Sequence, residues 1–151
     1  MMGLNGHSIL LVEDDPNDIL FIQRAFRQVN AAIPVQIIKD GDDAVDYLAG
    51  QGKFVDRDAY PLPALILLDL KLPRRSGAEV LEWMKQQPVI KRIPVVVLTS
   101  SRENVDIART YDLGISSYLV KPVNFSTLSK MVAALDHYWL QLNEYPSLAS
   151  I

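Results

Sequence analysis

Short apolar runs of strand length alternate along this chain with longer segments whose apolar residues recur every three or four positions. The runs at 8–12, 35–38, 64–68, 95–99 and 117–120 predict five strands. Strands that alternate with helical segments are the pattern of a parallel sheet with crossover helices. Asp15 suits a helix N-cap with Pro16 in the first position, and Ile19, Ile22, Phe26 and Val29 follow on one face. A second helix over 40–49 turns Ala44, Val45 and Leu48 inward. Ser76-Gly77-Ala78-Glu79 has the capping-box pattern and opens a third helix, with Val80, Leu81 and Met84 toward the sheet and Pro88 closing it. A fourth starts at Ser101 or Asn104 and carries Val105, Ala108, Tyr111 and Leu113, with Gly114 at a left-handed cap. Asn124 caps a fifth, whose stripe runs Leu128, Met131, Val132, Leu135, Tyr138 or Trp139, and Leu142. Residues 50–63 form a long loop, read either as a tolerated insertion or as a partner contact.

Composition narrows the function. The 151 residues suit one domain, and 49% hydrophobic against 22% charged residues supplies a core and argues against general disorder. The absence of cysteine removes disulfides, thiolate metal sites and a cysteine nucleophile, and His7 and His137 are too few for a histidine-rich metal site. A net charge of -3 argues against a nucleic-acid surface, which would be strongly basic. No run approaches the roughly 20 apolar residues that span a bilayer, and the first run meets Glu13, Asp14 and Asp15 directly, unlike a signal peptide. The expectation is a cytoplasmic protein with no membrane contact.

In open parallel sheets, ligands bind beyond the carboxyl ends of the strands. Here those ends carry Glu13 and Asp14, then Asp69, then Thr99 and Ser100, and finally Lys121. Three carboxylates, a hydroxyl and an ammonium therefore converge. Such a cluster repels itself without a cation, and hard oxygen donors suit magnesium. Asp69 follows the apolar run Leu65-Ile66-Leu67-Leu68 and is the best candidate nucleophile, because carboxylates form acyl phosphates. Lys121 and Thr99 are placed to hold phosphoryl oxygens by charge and hydrogen bonding. Each signal alone also has a plainer role: an acid after a first strand caps a helix, Lys-Pro makes a turn, and threonine favours strands.

Jointly the residues resemble the receiver domain of two-component response regulators, from Ser8 to about Leu142. The resemblance rests on Leu11-Val12-Glu13-Asp14-Asp15, Leu67-Leu68-Asp69-Leu70-Lys71-Leu72-Pro73 with Gly77, Val97-Leu98-Thr99-Ser100 and Tyr118-Leu119-Val120-Lys121-Pro122. The spacings between Asp69, Thr99 and Lys121 also agree with the family's. The resemblance implies a flavodoxin-like, doubly wound α/β fold with strand order 2-1-3-4-5 and five helices. The whole chain, 1–151, then reads as one receiver domain with a short C-terminal extension from about residue 138. By the same resemblance Asp69 is the phosphoacceptor for a sensor histidine kinase. Asp14 and Asp69 bind magnesium, or manganese in its place, directly; Glu13 acts mostly through water, and the Lys71 carbonyl completes the protein ligands. Lys121 binds the phosphoryl group, Thr99 is the switch hydroxyl helped by the Ser100 amide, and Tyr118 is the aromatic switch. The Lys121–Pro122 bond is expected to be cis.

Within the family, the 60–63 loop, the 91–99 run and Tyr138-Trp139-Leu140 resemble stand-alone regulators paired with bacterial phytochromes. The resemblance makes the chain a phosphoacceptor with self-catalysed phosphotransfer and slow autodephosphorylation rather than an enzyme. Few residues follow Lys121, so output is expected from a changed surface on helix 4, strand 5 and helix 5, reached through Thr99 and Tyr118. Tyr138, Trp139, Leu142 and Tyr145 extend the apolar stripe and suggest a homodimer interface, the alternative being a tail folded over its own core. Lys71 and Ser101 flank the hydrolytic water of the family, and Lys71 is placed to slow dephosphorylation. Two other readings compete. A haloacid-dehalogenase-type magnesium phosphatase needs a second carboxylate where Lys71 stands, and a phosphate-independent scaffold would not need the full acidic, hydroxyl and lysine set.

Overall fold

The computed structural model describes residues 7–148. Five parallel strands, β1 (Ile9–Val12), β2 (Val35–Ile38), β3 (Leu65–Leu68), β4 (Val95–Thr99) and β5 (Ser117–Val120), form one sheet in the order β2-β1-β3-β4-β5. Five helices connect or follow them: α1 (Pro16–Val29), α2 (Gly41–Ala49), α3 (Gly77–Lys85), α4 (Asn104–Asp112) and α5 (Phe125–Leu135). This is the doubly wound, flavodoxin-like arrangement, with helices on both faces of the sheet. Alternate strand residues feed two cores. Leu10, Val12, Ile66, Leu68 and Val97 pack toward α2 and α3, whereas Ile9, Leu11, Leu65, Leu67, Val96 and Leu98 pack toward α1 and α5. Both faces being covered explains why β1, β3 and β4 are apolar at nearly every position. Among the described residues, no helix is long and apolar enough to cross a membrane.

Local chemistry fixes the helix starts. The Asp15 carboxylate accepts from the Asn17 and Asp18 N–H groups, Asp40 from Asp43 and Asn124 from Thr127. Ser76 and Glu79 complete the capping box in both directions. The 50–63 loop is neither loose nor featureless. Phe54 is buried against Tyr47 and Tyr60, and the Arg57 guanidinium donates to the Tyr47, Leu48 and Tyr60 carbonyls, closing the end of α2.

Three expectations need correction. On α4 the predicted inward stripe faces outward: Val105 and Tyr111 are exposed, Thr110 is the buried residue, and Ile107 and Leu113 are half-buried. Apolar spacing identifies a face but not what covers it. Beyond α5 the chain widens into a π-helical segment, Asp136–Leu142, in which Asn143 N–H bonds to the Tyr138 carbonyl. The wider turn rotates the stripe, so Leu140 is buried and Leu142 exposed. Asp136 is buried there, accepting from the amides of Asn30 and Gln141. Finally, no peptide bond among the described residues is cis, so Lys121–Pro122 is trans rather than cis. Trans is favoured by about 0.5–1 kcal/mol before proline, and in this isomer Lys121 already reaches the carboxylates described below.

Candidate functional site

The register of the sheet assembles the site. Val12 pairs with Leu68, and Leu68 with Val97, so the residues just past β1, β3 and β4 share one edge. The Asp69 N–H donates to the Val12 carbonyl at 3.0 Å and the Glu13 N–H to Ile38 at 2.9 Å, holding both acids by their backbones. Thr99 pairs with Val120, and the Lys121 N–H donates to the Thr99 carbonyl at 2.8 Å, which brings the lysine to the same edge. Gly77 permits the close return of α3: a Cβ there would lie 2.4 Å from the Asp69 carbonyl oxygen.

Glu13, Asp14 and Asp69 each present an oxygen within 4.8 Å of the others. Glu13 and Asp69 are buried and Asp14 is exposed, so the cluster opens to solvent on the Asp14 side. Three hard carboxylate donors at this separation fit a magnesium or manganese ion, which takes a few carboxylates and completes its shell with water or phosphate oxygens. The Lys121 ammonium lies 2.7 Å from Glu13 Oε1, 2.8 Å from Asp18 Oδ2 and 2.9 Å from Asp69 Oδ2. Burial pushes the Glu13 carboxyl up to about 7, helped by the nearby Asp69 charge, against the pull of Lys121 and of the Asp15 N–H. For Lys121 burial acts to lower the pKa, but bonds to Asp18, Glu13 and Asp69 outweigh it and hold the ammonium above the usual lysine range.

The hydroxyl of Thr99 is fully buried and has no hydrogen-bond partner among the described residues. A buried unpaired hydroxyl is costly; those of Ser8 and Ser129 are unpaired too, but of the three only Thr99 lies at the carboxyl edge of the sheet. Ser100 beside it is exposed. Tyr118 is half-buried, packs on the α2–α3 side and donates its hydroxyl to the Ser101 carbonyl at 3.0 Å. The Ser101 hydroxyl in turn donates to Asp106 of α4 at 2.6 Å, tying the β4–α4 loop to that helix. Lys71 is exposed, and its N–H donates to Asp69 Oδ1 at 3.3 Å. Of the tail residues, Tyr138 and Leu142 are exposed. Trp139 and Tyr145 pack partly on the α1–α5 core, and the Tyr145 hydroxyl donates to the Trp139 carbonyl.

Sequence reasoning missed Asp18. It sits in the first turn of α1, where an acid is ordinary, and its partner Lys121 is 103 residues away. Only the topology, which sets α1 beside α5, brings the two together.

An acidic pocket, an ammonium and a buried hydroxyl at the carboxyl edge of a 2-1-3-4-5 sheet define a receiver domain. The sequence profile of the response regulator receiver domain matches residues 9–133, and the chain belongs to that family. It is 40% identical over 139 residues to response regulator Rcp1 of Synechocystis sp., covering 92% of each chain. It is 38% identical over 141 residues to the probable methanogenesis regulatory protein FilR2 of Methanothrix harundinacea, covering 93% of this chain and 88% of that one. Among solved structures it resembles the phosphorylated cyanobacterial phytochrome response regulator RcpA, with a TM-score of 0.87, 40% identity and coverage of 94% and 100%. The Mn(2+)-bound form of Rcp1 gives a TM-score of 0.84 at 40% identity, with coverage of 93% and 99%.

Proposed function

We propose that Asp69 accepts a phosphoryl group from the phosphohistidine of a sensor histidine kinase. The observation that carries this reading is the meeting of Glu13, Asp14, Asp69 and Lys121 at one sheet edge. An Asp69 carboxylate oxygen forms the new bond to phosphorus while the phosphorus–nitrogen bond breaks, and the imidazole nitrogen leaves with the electron pair and takes a proton. Asp14, Asp69, Glu13 and the Lys71 carbonyl are the groups that would hold a magnesium ion, Glu13 through water. When bound, the ion neutralises the carboxylates and the incoming phosphate oxygens. Lys121 turns its Asp69-facing N–H toward a phosphoryl oxygen, and the Thr99 hydroxyl donates to another with help from the Ser100 amide. The partnerless Thr99 hydroxyl supports that role. Its inward movement opens space that Tyr118 fills, and through Ser101 and Asp106 this reaches α4.

The chain acts as a single receiver domain, 1–151, with an extension from about residue 138, and signals by surface change in the cytoplasm without binding nucleic acid. It catalyses its own phosphorylation and loses the phosphoryl group slowly, Lys71 shielding the acyl phosphate from water. The likeness to phytochrome response regulators supports a phytochrome as the kinase. Exposed Val105, Tyr111, Tyr138 and Leu142 support a homodimer through α4, β5, α5 and the tail. Incubation with acetyl phosphate and magnesium tests the reading: the wild-type protein gains one phosphoryl mass and Asp69→Asn gains none. Sustained turnover of phosphate esters would instead indicate a phosphatase.

A further inference from the structure

Lys121 has three N–H donors and three carboxylate acceptors, Glu13, Asp18 and Asp69, each within 2.9 Å. Two of these, Glu13 and Asp69, also belong to the cluster that fits a divalent ion. Asp18 does not: it comes from the first turn of α1, outside that cluster, and its side chain is about a third exposed. An ion drawn to Glu13 and Asp69 competes with the ammonium for the same oxygens, and the two cations repel each other. Asp18 is then the partner that Lys121 keeps.

We propose that Asp18 is a positioning residue for Lys121, holding the ammonium at the edge of the pocket while the divalent ion and the phosphoryl group occupy Glu13 and Asp69. This rests on the phosphoacceptor reading above, but part of it concerns ion binding alone. Without Asp18, Lys121 settles on Glu13 and Asp69, blocks the ion and engages the oxygen that must attack phosphorus. With Asp18, one N–H is anchored outside the cluster and another stays aimed at the position of Asp69 Oδ2. The α1 backbone fixes the anchor, because Asp18 lies in the first turn and its N–H is bound by the Asp15 cap.

A double-mutant cycle on the full chain tests the proposal, with Asp18→Asn, Lys121→Met and the pair. Magnesium titration followed by calorimetry needs no phosphorylation. Asp18→Asn is expected to weaken magnesium binding about threefold when Lys121 is present and by less than about 1.5-fold in the Lys121→Met background. Phosphorylation by acetyl phosphate is expected to slow about tenfold in Asp18→Asn, with no further loss when added to Lys121→Met. Asp18→Glu should recover most of both effects. Circular dichroism and thermal melts check that each variant folds, and a purely structural role for Asp18 would affect the melt equally in both backgrounds. An equal loss of magnesium affinity with and without Lys121, or no loss at all, overturns the proposal. A wild-type chain that binds magnesium in this Lys121-dependent way yet takes no phosphoryl group would overturn the phosphoacceptor reading and leave the positioning role supported.

Discussion

Helices α1 and α4 lie beside the same sheet but are held very differently. α1 buries Ile19, Ile22, Ala25 and Phe26 and reaches into the pocket through Asp18, whereas α4 buries only Thr110 and exposes Val105 and Tyr111. The hydroxyl of Thr110 bonds back to the Asp106 and Ile107 carbonyls, so even its one buried polar group ties α4 to itself rather than to the sheet. The chemistry of the pocket requires oxygens fixed to fractions of an ångström, and the α1 side supplies that rigidity. A signal carried by surface change requires an element that moves at low cost, and the α4 side has few contacts to lose. Next to α4, Tyr118 bonds to the Ser101 carbonyl and the Ser101 hydroxyl to Asp106, and the switch proposed above would reach the helix by these two bonds.

The contrast breaks first in the core. Phe26→Ala on α1 should cost about 3–5 kcal/mol in denaturant unfolding, the usual range for emptying a buried phenylalanine site. A cost as small as that of a surface change would mean that α1 is not the fixed side. Native-state hydrogen exchange sharpens the comparison: amides in the middle of α4 should exchange at least about tenfold faster than those in the middle of α1, and equal protection would contradict it.

The strongest pH dependence belongs to the fixed side. In the metal-free native state burial pushes the Glu13 carboxyl up to about 7, from the ordinary 4.5 that it has in the unfolded chain. The contribution of this group to stability is therefore full below 4.5 and falls as pH rises through 7, and a divalent ion must displace the proton to bind. Magnesium affinity measured by calorimetry should be roughly tenfold weaker at about pH 6 than at about pH 8, and a flat profile would contradict the burial of Glu13. Smallest of all, Tyr111→Ala on α4 should change stability by less than about 0.5 kcal/mol while weakening the proposed homodimer in sedimentation. A large loss of stability would show that α4 is anchored after all.

Most of the fold was legible because strand and helix signals are local. The apolar runs place β2, β4 and β5 where the sheet has them, and Asp15, Asp40, Ser76 and Asn124 mark their helix starts through side chains a few residues from the amides they cap. What escaped depends on distant partners. Val105, Ala108 and Tyr111 have helical spacing, but spacing does not say whether a neighbour covers the face. In the π-helical segment Asp136 meets the distant Asn30, and Asp18 meets Lys121 only once the chain has returned past β5. The trans Lys121–Pro122 bond escaped because the expectation came from relatives rather than from anything local. The acidic cluster itself was legible, because the carboxyl ends of neighbouring parallel strands must meet.

Phosphoryl acceptance requires that a carboxylate oxygen of Asp69 become the bridging oxygen of an acyl phosphate. Its most direct test is borohydride reduction of the acetyl phosphate-treated protein with magnesium, followed by mass mapping of the peptide that contains residue 69. Reduction of an aspartyl phosphate leaves homoserine, and the prediction is homoserine at position 69 alone. Unchanged Asp69 with phosphoryl or homoserine found at another residue would contradict it.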